Sequence, residues 1–225
     1  MKKYEFKLNQ QVCASFFPRH LINTKVEILE ILMEATRYIL VEYYSENKTE
    51  ELSFKKIILV VDKMSRLFFC KEDKIYSIIF PFTVNEEANK LKFIFQKEGV
   101  ELEVDHELIS NVISTIKNKS FHSSHSMDFA DEIDSLESNY NKDFWILMRN
   151  LLLMEDGYIR YDIDPDGYKN AKEKGKEHTH PLHHFDIFYT SNITFKLGME
   201  KKISDVEFID CIDIKTDCKY LKKPL

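Results

Sequence analysis

The stretch LFFCKEDKIYSIIF, residues 67–80, contains two apolar runs separated by the charged residues Lys71, Glu72 and Asp73. Short apolar runs on either side of a polar turn are typical of a β-hairpin. A second pair of runs, residues 91–95 and 100–104, flanks a turn that ends in Gly99. Glycine adopts a left-handed backbone conformation easily, so this turn also suits a hairpin. Two consecutive hairpins predict an antiparallel sheet.

Helices are predicted before and after these hairpins in the sequence. From about Thr24 to Tyr44 apolar residues recur at helical spacing, and Glu27 lies three residues after Thr24, the pattern of a capping box. The other predicted helices cover residues 105–116, residues 143–154 and a segment that begins at Ser204, three residues before Glu207. Helices that do not alternate regularly with strands indicate an α+β fold. We expect an antiparallel sheet with helices packed mainly on one face.

The segment of residues 53–68 fits two structures. Phe54, Ile57 and Val61 recur at helical spacing, whereas the run Ile-Ile-Leu-Val-Val at 57–61 also suits a buried strand. We favour a helix.

The polar, acidic residues 119–142 separate an N-terminal region, 1–118, from a C-terminal region, 143–225. They are predicted to form a linker or loop, and the two regions can also make up a single domain. His122, His125 and Asp128 in this segment are potential metal ligands, but a solvated loop is the favoured interpretation.

Composition excludes several common classes of protein. Five glycines are scattered along the chain, so phosphate-binding glycine loops and the nucleophile elbow of α/β-hydrolases are absent from the sequence. The formal net charge of −6 gives no overall attraction to nucleic acid. The four cysteines form no C-x-x-C pair, and no apolar signal segment follows the charged N-terminus. Apolar runs are too short to span a membrane. We therefore expect a cytoplasmic protein with free thiols.

The polar residues with chemical potential are concentrated between Arg160 and Asp186. Side chains alternate across a strand, so Arg160 and Asp162 share one face of a predicted strand at 158–164. His184 and Asp186 share a face of a second predicted strand at 182–189. If the two strands pair with their apolar sides on the core, these four residues meet on the opposite face. The residues between them, to Thr179, are predicted to form a charged loop.

Three interpretations of this cluster stay open. It is a salt-bridge network that holds two strands in register; or a divalent-metal site; or a metal-free acid–base site in which Arg160 binds an anionic group. The candidate metal ligands are His178, His180, His184 and Asp186. Alternate residues of an extended chain lie about 6.6 Å apart, which lets His178 and His180 reach one ion. Arg160 on the same face disfavours a divalent cation, and no cofactor is otherwise expected.

The pattern Ile159-Arg160-Tyr161-Asp162, a lysine-rich loop, His180-Pro181 and His184-x-Asp186, then a capped helix, resembles a bacterial family built around a domain of unknown function. The resemblance covers mainly residues 158–214. It implies no mechanism, but it implies a bacterial protein encoded beside its partners, in a mobile or antiviral-defence operon. The leading functional expectation is an accessory protein that acts through a protein partner or as a homo-oligomer. The alternative is a hydrolase, a phosphodiesterase or nuclease, that uses the His/Asp cluster in a metal-dependent or metal-free reaction.

Overall fold

A computed structural model describes residues 1–44, 55–87, 90–118, 142–190 and 193–217. The strands are β1 (Lys2–Lys7), β2 (Lys56–Val61), β3 (Arg66–Lys71), β4 (Lys74–Ile79), β5 (Thr83–Glu87), β6 (Lys90–Lys97), β7 (Val100–Glu103), β8 (Ile159–Ile163), β9 (His183–Thr190) and β10 (Ile193–Met199). The helices are α1 (Gln10–Phe16), α2 (Lys25–Tyr44), α3 (His106–Ile116), α4 (Lys142–Leu153), α5 (Pro165–Glu173) and α6 (Asp205–Ile212).

Among the described residues, seven strands form the central antiparallel sheet, in the order β1-β2-β3-β4-β8-β9-β10. Strands β5, β6 and β7 form a separate three-stranded sheet. In the central sheet β4 pairs with β8, Tyr76 opposite Arg160, so strands from both ends of the chain contribute to one sheet. The predicted α+β fold with an antiparallel sheet is confirmed.

Apolar side chains cover both faces of the central sheet. The larger core contains Ile57, Leu59 and Phe69 from one face, together with residues of α1 to α4 and of the three-stranded sheet. The smaller core lies on the opposite face, where Phe68 of β3 packs against Phe208 of α6. Most helices therefore lie on one side of the sheet, and α6 closes the other.

Both predicted hairpins are confirmed, and so are the helices predicted from Thr24, at 105–116, at 143–154 and from Ser204. Residues 67–80 form β3 and β4, and residues 91–104 contain β6 and β7 with Gly99 at a positive φ of 78°. Thr24 Oγ1 accepts the backbone N–H of Glu27, and the Glu27 carboxylate accepts the N–H of Thr24, which completes the capping box of α2. Ser204 and Glu207 form the same box at the start of α6.

The helix favoured for residues 53–68 is wrong. The described part of this segment forms β2 and the start of β3. Ile57, Ile58 and Leu59 are all fully buried although neighbouring side chains of a strand point to opposite faces. A strand covered on both faces needs a continuous apolar run, and each such side chain contributes about 1.5–3 kcal/mol by burial. The second core, not local propensity, therefore makes this segment a strand.

The charged loop predicted before Thr179 is also wrong, because α5 occupies residues 165–173. Asp164 accepts the N–H of Gly167 at 2.8 Å, and Pro165 occupies the first turn. An Asp cap followed by proline is a helix-start signal that the charge of the segment concealed. The predicted linker, residues 119–142, including His122, His125 and Asp128, lies outside the described residues except for Lys142.

Candidate functional site

The four residues predicted for the site come together on adjacent strands. Arg160 of β8 lies opposite Asp186 of β9, and Asp162 lies opposite His184. All four side chains are buried or nearly so, with 1% of His184 and 2% of Asp186 exposed. The four residues lie on one face of the sheet, as the alternation of side chains along each strand predicts, and the pairing of β8 with β9 brings them into contact.

The surroundings of the sheet face that carries these four residues differ from the predicted ones. Tyr161 and Phe185, on the apolar side of β8 and β9, face the smaller core beneath α6. The polar side therefore continues the face that carries the larger core in β2 to β4, since Arg160 lies opposite the core residue Tyr76. The cluster is the polar end of a buried layer, and its charges lie in a medium of low effective dielectric constant.

Arg160 joins the two carboxylates. Its Nη2 donates to Asp186 Oδ2, and its Nε lies 2.9 Å from Asp162 Oδ2 in an ion pair without hydrogen-bond geometry. The guanidinium carbon lies 5.4 Å from the centre of the Phe188 ring, a cation–π distance. Lys74 lies at 4.0 Å from the other Asp162 oxygen.

Lys196 of β10 completes the cluster, although it was not among the residues predicted from the sequence. Its ammonium lies 2.8 Å from Asp186 Oδ1 and 2.7 Å from His184 Nε2. His184 Nδ1 lies 2.7 Å from the carbonyl oxygen of Pro181, which can only accept, so Nδ1 carries the ring hydrogen. Nε2 then accepts from Lys196, and His184 is neutral. Lys196 could have been found as the one charged residue in the apolar run 193–199, but its role depends on its pairing with Asp186.

The pKa shifts follow from burial and from these contacts. Burial raises the pKa of Asp186, but hydrogen bonds from Lys196 and Arg160 outweigh it and hold the pKa below its ordinary value. Burial dominates at Asp162 and raises its pKa despite the neighbouring Arg160. Burial and the charge of Lys196 lower the pKa of His184. Burial lowers the pKa of Arg160, but Asp162 and Asp186 outweigh that effect and raise it.

Three buried polar atoms in the cluster have no hydrogen-bond partner among the described residues. They are Tyr158 Oη, Arg160 Nε and Asp162 Oδ1. Such atoms mark a bound water, stored strain or a functional role. Burial raises the pKa of Tyr158 to about 12, so its phenol is protonated at neutral pH.

The predicted metal-ligand set is brought together only in part. Asp162, His184 and Asp186 each place one potential ligand atom within 4.8 Å of the others. His180 instead places Nε2 2.7 Å from Asp164 Oδ2, and its ring packs edge-on against that of His184 at 5.1 Å. His178 is exposed in a short 3₁₀ turn, Glu177–Thr179.

Gly167 makes the position of His180 possible. A Cβ added to Gly167 would overlap His180 Nε2 and Asp164 Oδ2. Asp164 thus caps α5 and holds His180 at the same time, which packs the start of α5 against the segment that leads into β9.

Comparisons of the chain with protein-family models, with curated proteins and with solved structures found no match. Within the described residues, the helices are too short or too polar for one of them to cross a membrane. The structure is that of an α+β protein with a buried polar cluster, which contains Arg160, Lys196, two carboxylates and a neutral histidine.

Proposed function

We propose that this chain is a non-catalytic accessory protein that acts by binding a protein partner or a second copy of itself. In line with its resemblance to a bacterial family, we place it in the cytoplasm, in a mobile or antiviral-defence operon. The observation that carries the proposal is that the groups needed for acid–base chemistry are already engaged. His184 Nε2 is held by Lys196, and both oxygens of Asp186 are held by Arg160 and Lys196.

A divalent metal fits this cluster poorly. Arg160 and Lys196 balance the charges of Asp162 and Asp186, so an added ion would leave two uncompensated positive charges in a buried layer. The donor atom of His184 nearest to the carboxylates is also the atom that Lys196 contacts. We therefore include no metal in the proposal.

The proposed role of the cluster is structural: it holds the edge strand β10 in the central sheet. Strand β10 is the last strand of the central sheet, and Lys196 ties it to Asp186 of β9. An edge strand presents unpaired backbone N–H and C=O groups with which another chain can pair. Here the lysine points into the cluster, while Phe195 beside it is 49% exposed. We infer that a partner chain contacts β10 and covers Phe195.

The test compares two substitutions of equally exposed apolar residues. When the tagged chain is purified, Phe195→Lys should reduce the amount of partner protein recovered with it by about tenfold, because the substitution places a charge in the contact surface. Val41→Lys, on α2 and 53% exposed in the wild type, is the control and should leave recovery unchanged. Recovery is measured by quantitative mass spectrometry and confirmed with the purified pair. A chain that stays monomeric with no retained protein, or equal recovery with both variants, contradicts the proposal.

A hydrolase, a phosphodiesterase or nuclease, is the second candidate, and it is favoured by three buried atoms that form no hydrogen bond among the described residues: Tyr158 Oη, Arg160 Nε and Asp162 Oδ1. In this alternative Arg160 binds the anionic phosphate and His184 transfers a proton after Lys196 is displaced. No metal is needed for that chemistry.

The double substitution His184→Ala/Asp186→Ala separates the two candidates. Wild-type protein is assayed on single-stranded RNA, single-stranded DNA and a nitrophenyl phosphodiester, and its metal content is measured. Under the accessory proposal there is no turnover, and the double variant mainly lowers the melting temperature. Turnover by the wild type that the folded double variant loses would establish the hydrolase instead.

A further inference from the structure

The two edge strands of the central sheet differ in charge. Strand β1, at one edge, carries four exposed charged residues, Lys2, Lys3, Glu5 and Lys7. Charged side chains on an edge strand disfavour its pairing with another chain. Strand β10, at the other edge, has the sequence ITFKLGM, in which Lys196 is the single charged residue. Within the described part of the chain, β10 is therefore the edge that another strand can extend.

The charge of β10 is neutralised within its own chain. The Lys196 ammonium lies 2.8 Å from Asp186 Oδ1, and the Asp186 side chain is only 2% exposed. A lysine directed outward would repel the same lysine of a second copy, whereas this lysine is directed into its own sheet and paired there. Two β10 strands can therefore approach each other without bringing two unpaired charges together.

The side chains of β10 complement those of an identical strand that runs in the opposite direction. Phe195 and Leu197 lie on the face of the smaller core, where Leu197 is packed and Phe195 is 49% exposed. Thr194 and Lys196 lie on the other face. With Phe195 on a two-fold axis, the two Phe195 rings become cross-strand neighbours, and Lys196 lies opposite Thr194 of the second copy. Cross-strand aromatic pairs stabilise a sheet, and this register contains no like-charge pair.

We propose that the partner at β10 is a second copy of this chain, whose β10 pairs antiparallel with that of the first copy about a two-fold axis. This inference rests on the proposed function, in which β10 is the contact strand. Backbone hydrogen bonds join the two central sheets into one, and each copy covers Phe195 of the other. The charged strand β1 blocks further addition at the outer edges, so the assembly closes as a dimer and does not extend into a filament.

The test is the mass of the purified full chain, measured by sedimentation velocity over a range of micromolar concentrations. The wild type should sediment as a dimer, and Phe195→Lys should sediment as a monomer. Each copy brings one substituted residue to the contact, so a loss of about tenfold per residue becomes about a hundredfold in the dimer dissociation constant. Val41→Lys, on α2 and 53% exposed in the wild type, is the matched control and should remain a dimer.

A second pair of variants separates the contact from folding. Phe195→Leu keeps an apolar side chain at the contact and should remain a dimer. Thr194→Lys, at an exposed position on the other face of β10, places an ammonium opposite Lys196 of the second copy and should give a monomer. Thermal denaturation checks that each variant is folded. Thr194→Lys decides the question if Phe195→Lys fails to fold.

The outcomes distinguish this inference from the proposed function. A monomeric wild type that retains a different protein, whose recovery Phe195→Lys reduces, overturns the second-copy proposal and leaves the proposed function intact. A wild-type dimer that persists in folded Phe195→Lys or Thr194→Lys protein places the contact elsewhere and also overturns the proposal. A monomeric wild type with no retained protein overturns both.

Discussion

Arg160 and Arg66 are both buried in the central sheet, on opposite faces, and their surroundings differ in one respect. Arg160 contacts Asp162 and Asp186, and its pKa is raised. Within the described part of the chain, Arg66 donates hydrogen bonds to a hydroxyl and a carbonyl and forms no ion pair, and burial lowers its pKa to about 10. Burial disfavours the charge of both residues, so the carboxylates account for the opposite shifts. A buried charge is therefore informative mainly through its partners: Arg160 has two carboxylate partners, whereas Arg66 has none among the described residues.

The largest expected effect comes from removing each arginine in turn. Arg160→Met should lower the free energy of unfolding by about 3–5 kcal/mol, because Asp162 and Asp186 would remain buried without their cation. Arg66→Met should change it by only about 1 kcal/mol, because the lost hydrogen bonds are offset by removal of an unpaired buried charge. Urea denaturation measures both values. Equal losses in the two variants would contradict the contrast between the regions.

A smaller effect should separate the two carboxylates inside the cluster. Asp186→Asn should lower the free energy of unfolding by about 2–3 kcal/mol, since two charged donors lose their anion. Asp162→Asn is the matched control, and we expect a loss below about 1 kcal/mol, because burial already disfavours its charged form. The same denaturation experiment applies. A greater loss for Asp162→Asn than for Asp186→Asn would show that the assignment of the main anion is wrong.

The smallest expected effect is a pH dependence that belongs to the cluster. His184 has a folded-state pKa below its unfolded value of 6.5, so the unfolded chain binds the proton first. Its contribution to stability is complete above pH 6.5 and is lost as pH falls from 6.5 towards the folded pKa. Lys196, Asp186 and Asp162 are the charged groups that lie beside the His184 imidazole in the folded chain.

His184→Asn, which retains a donor for Pro181, tests this dependence. The urea midpoint is measured at pH 7.5 and at pH 5.5 in both proteins. The wild type should lose more stability between the two values than the variant does. An identical change in the two proteins would show that His184 does not sense pH in the folded chain.

Much of the fold could be predicted from local patterns. The capping boxes of α2 and α6 and the turn ending in Gly99 act over three or four residues, so their sequence determines them. The segment at 57–61 could not be assigned in the same way. A continuous apolar run suits a buried helix or a strand covered on both faces, and only the second core, closed by Phe208, decides between them.

In the candidate site, too, some features could be predicted from local sequence and others depend on the tertiary structure. Alternation of side chains along a strand placed Arg160 with Asp162 and His184 with Asp186 before any strand pairing was known. Lys196 could not be added, because its position depends on the register between β9 and β10. That His178 lies outside the cluster could not be predicted either, because its position depends on the chain path through α5 and the 3₁₀ turn.

By itself, then, the sequence determined the elements that depend on neighbours along the chain: the caps, the hairpins and the shared faces of strands. The tertiary structure alone decided which face of the sheet the polar residues occupy, which cation each carboxylate contacts, and that Arg66 is buried without a carboxylate partner among the described residues. The physical reason is the separation along the chain of the residues that interact. Backbone capping and side-chain alternation act between residues close in sequence, whereas burial and charge pairing depend on strands such as β3, β8 and β10, which only the folded sheet brings together.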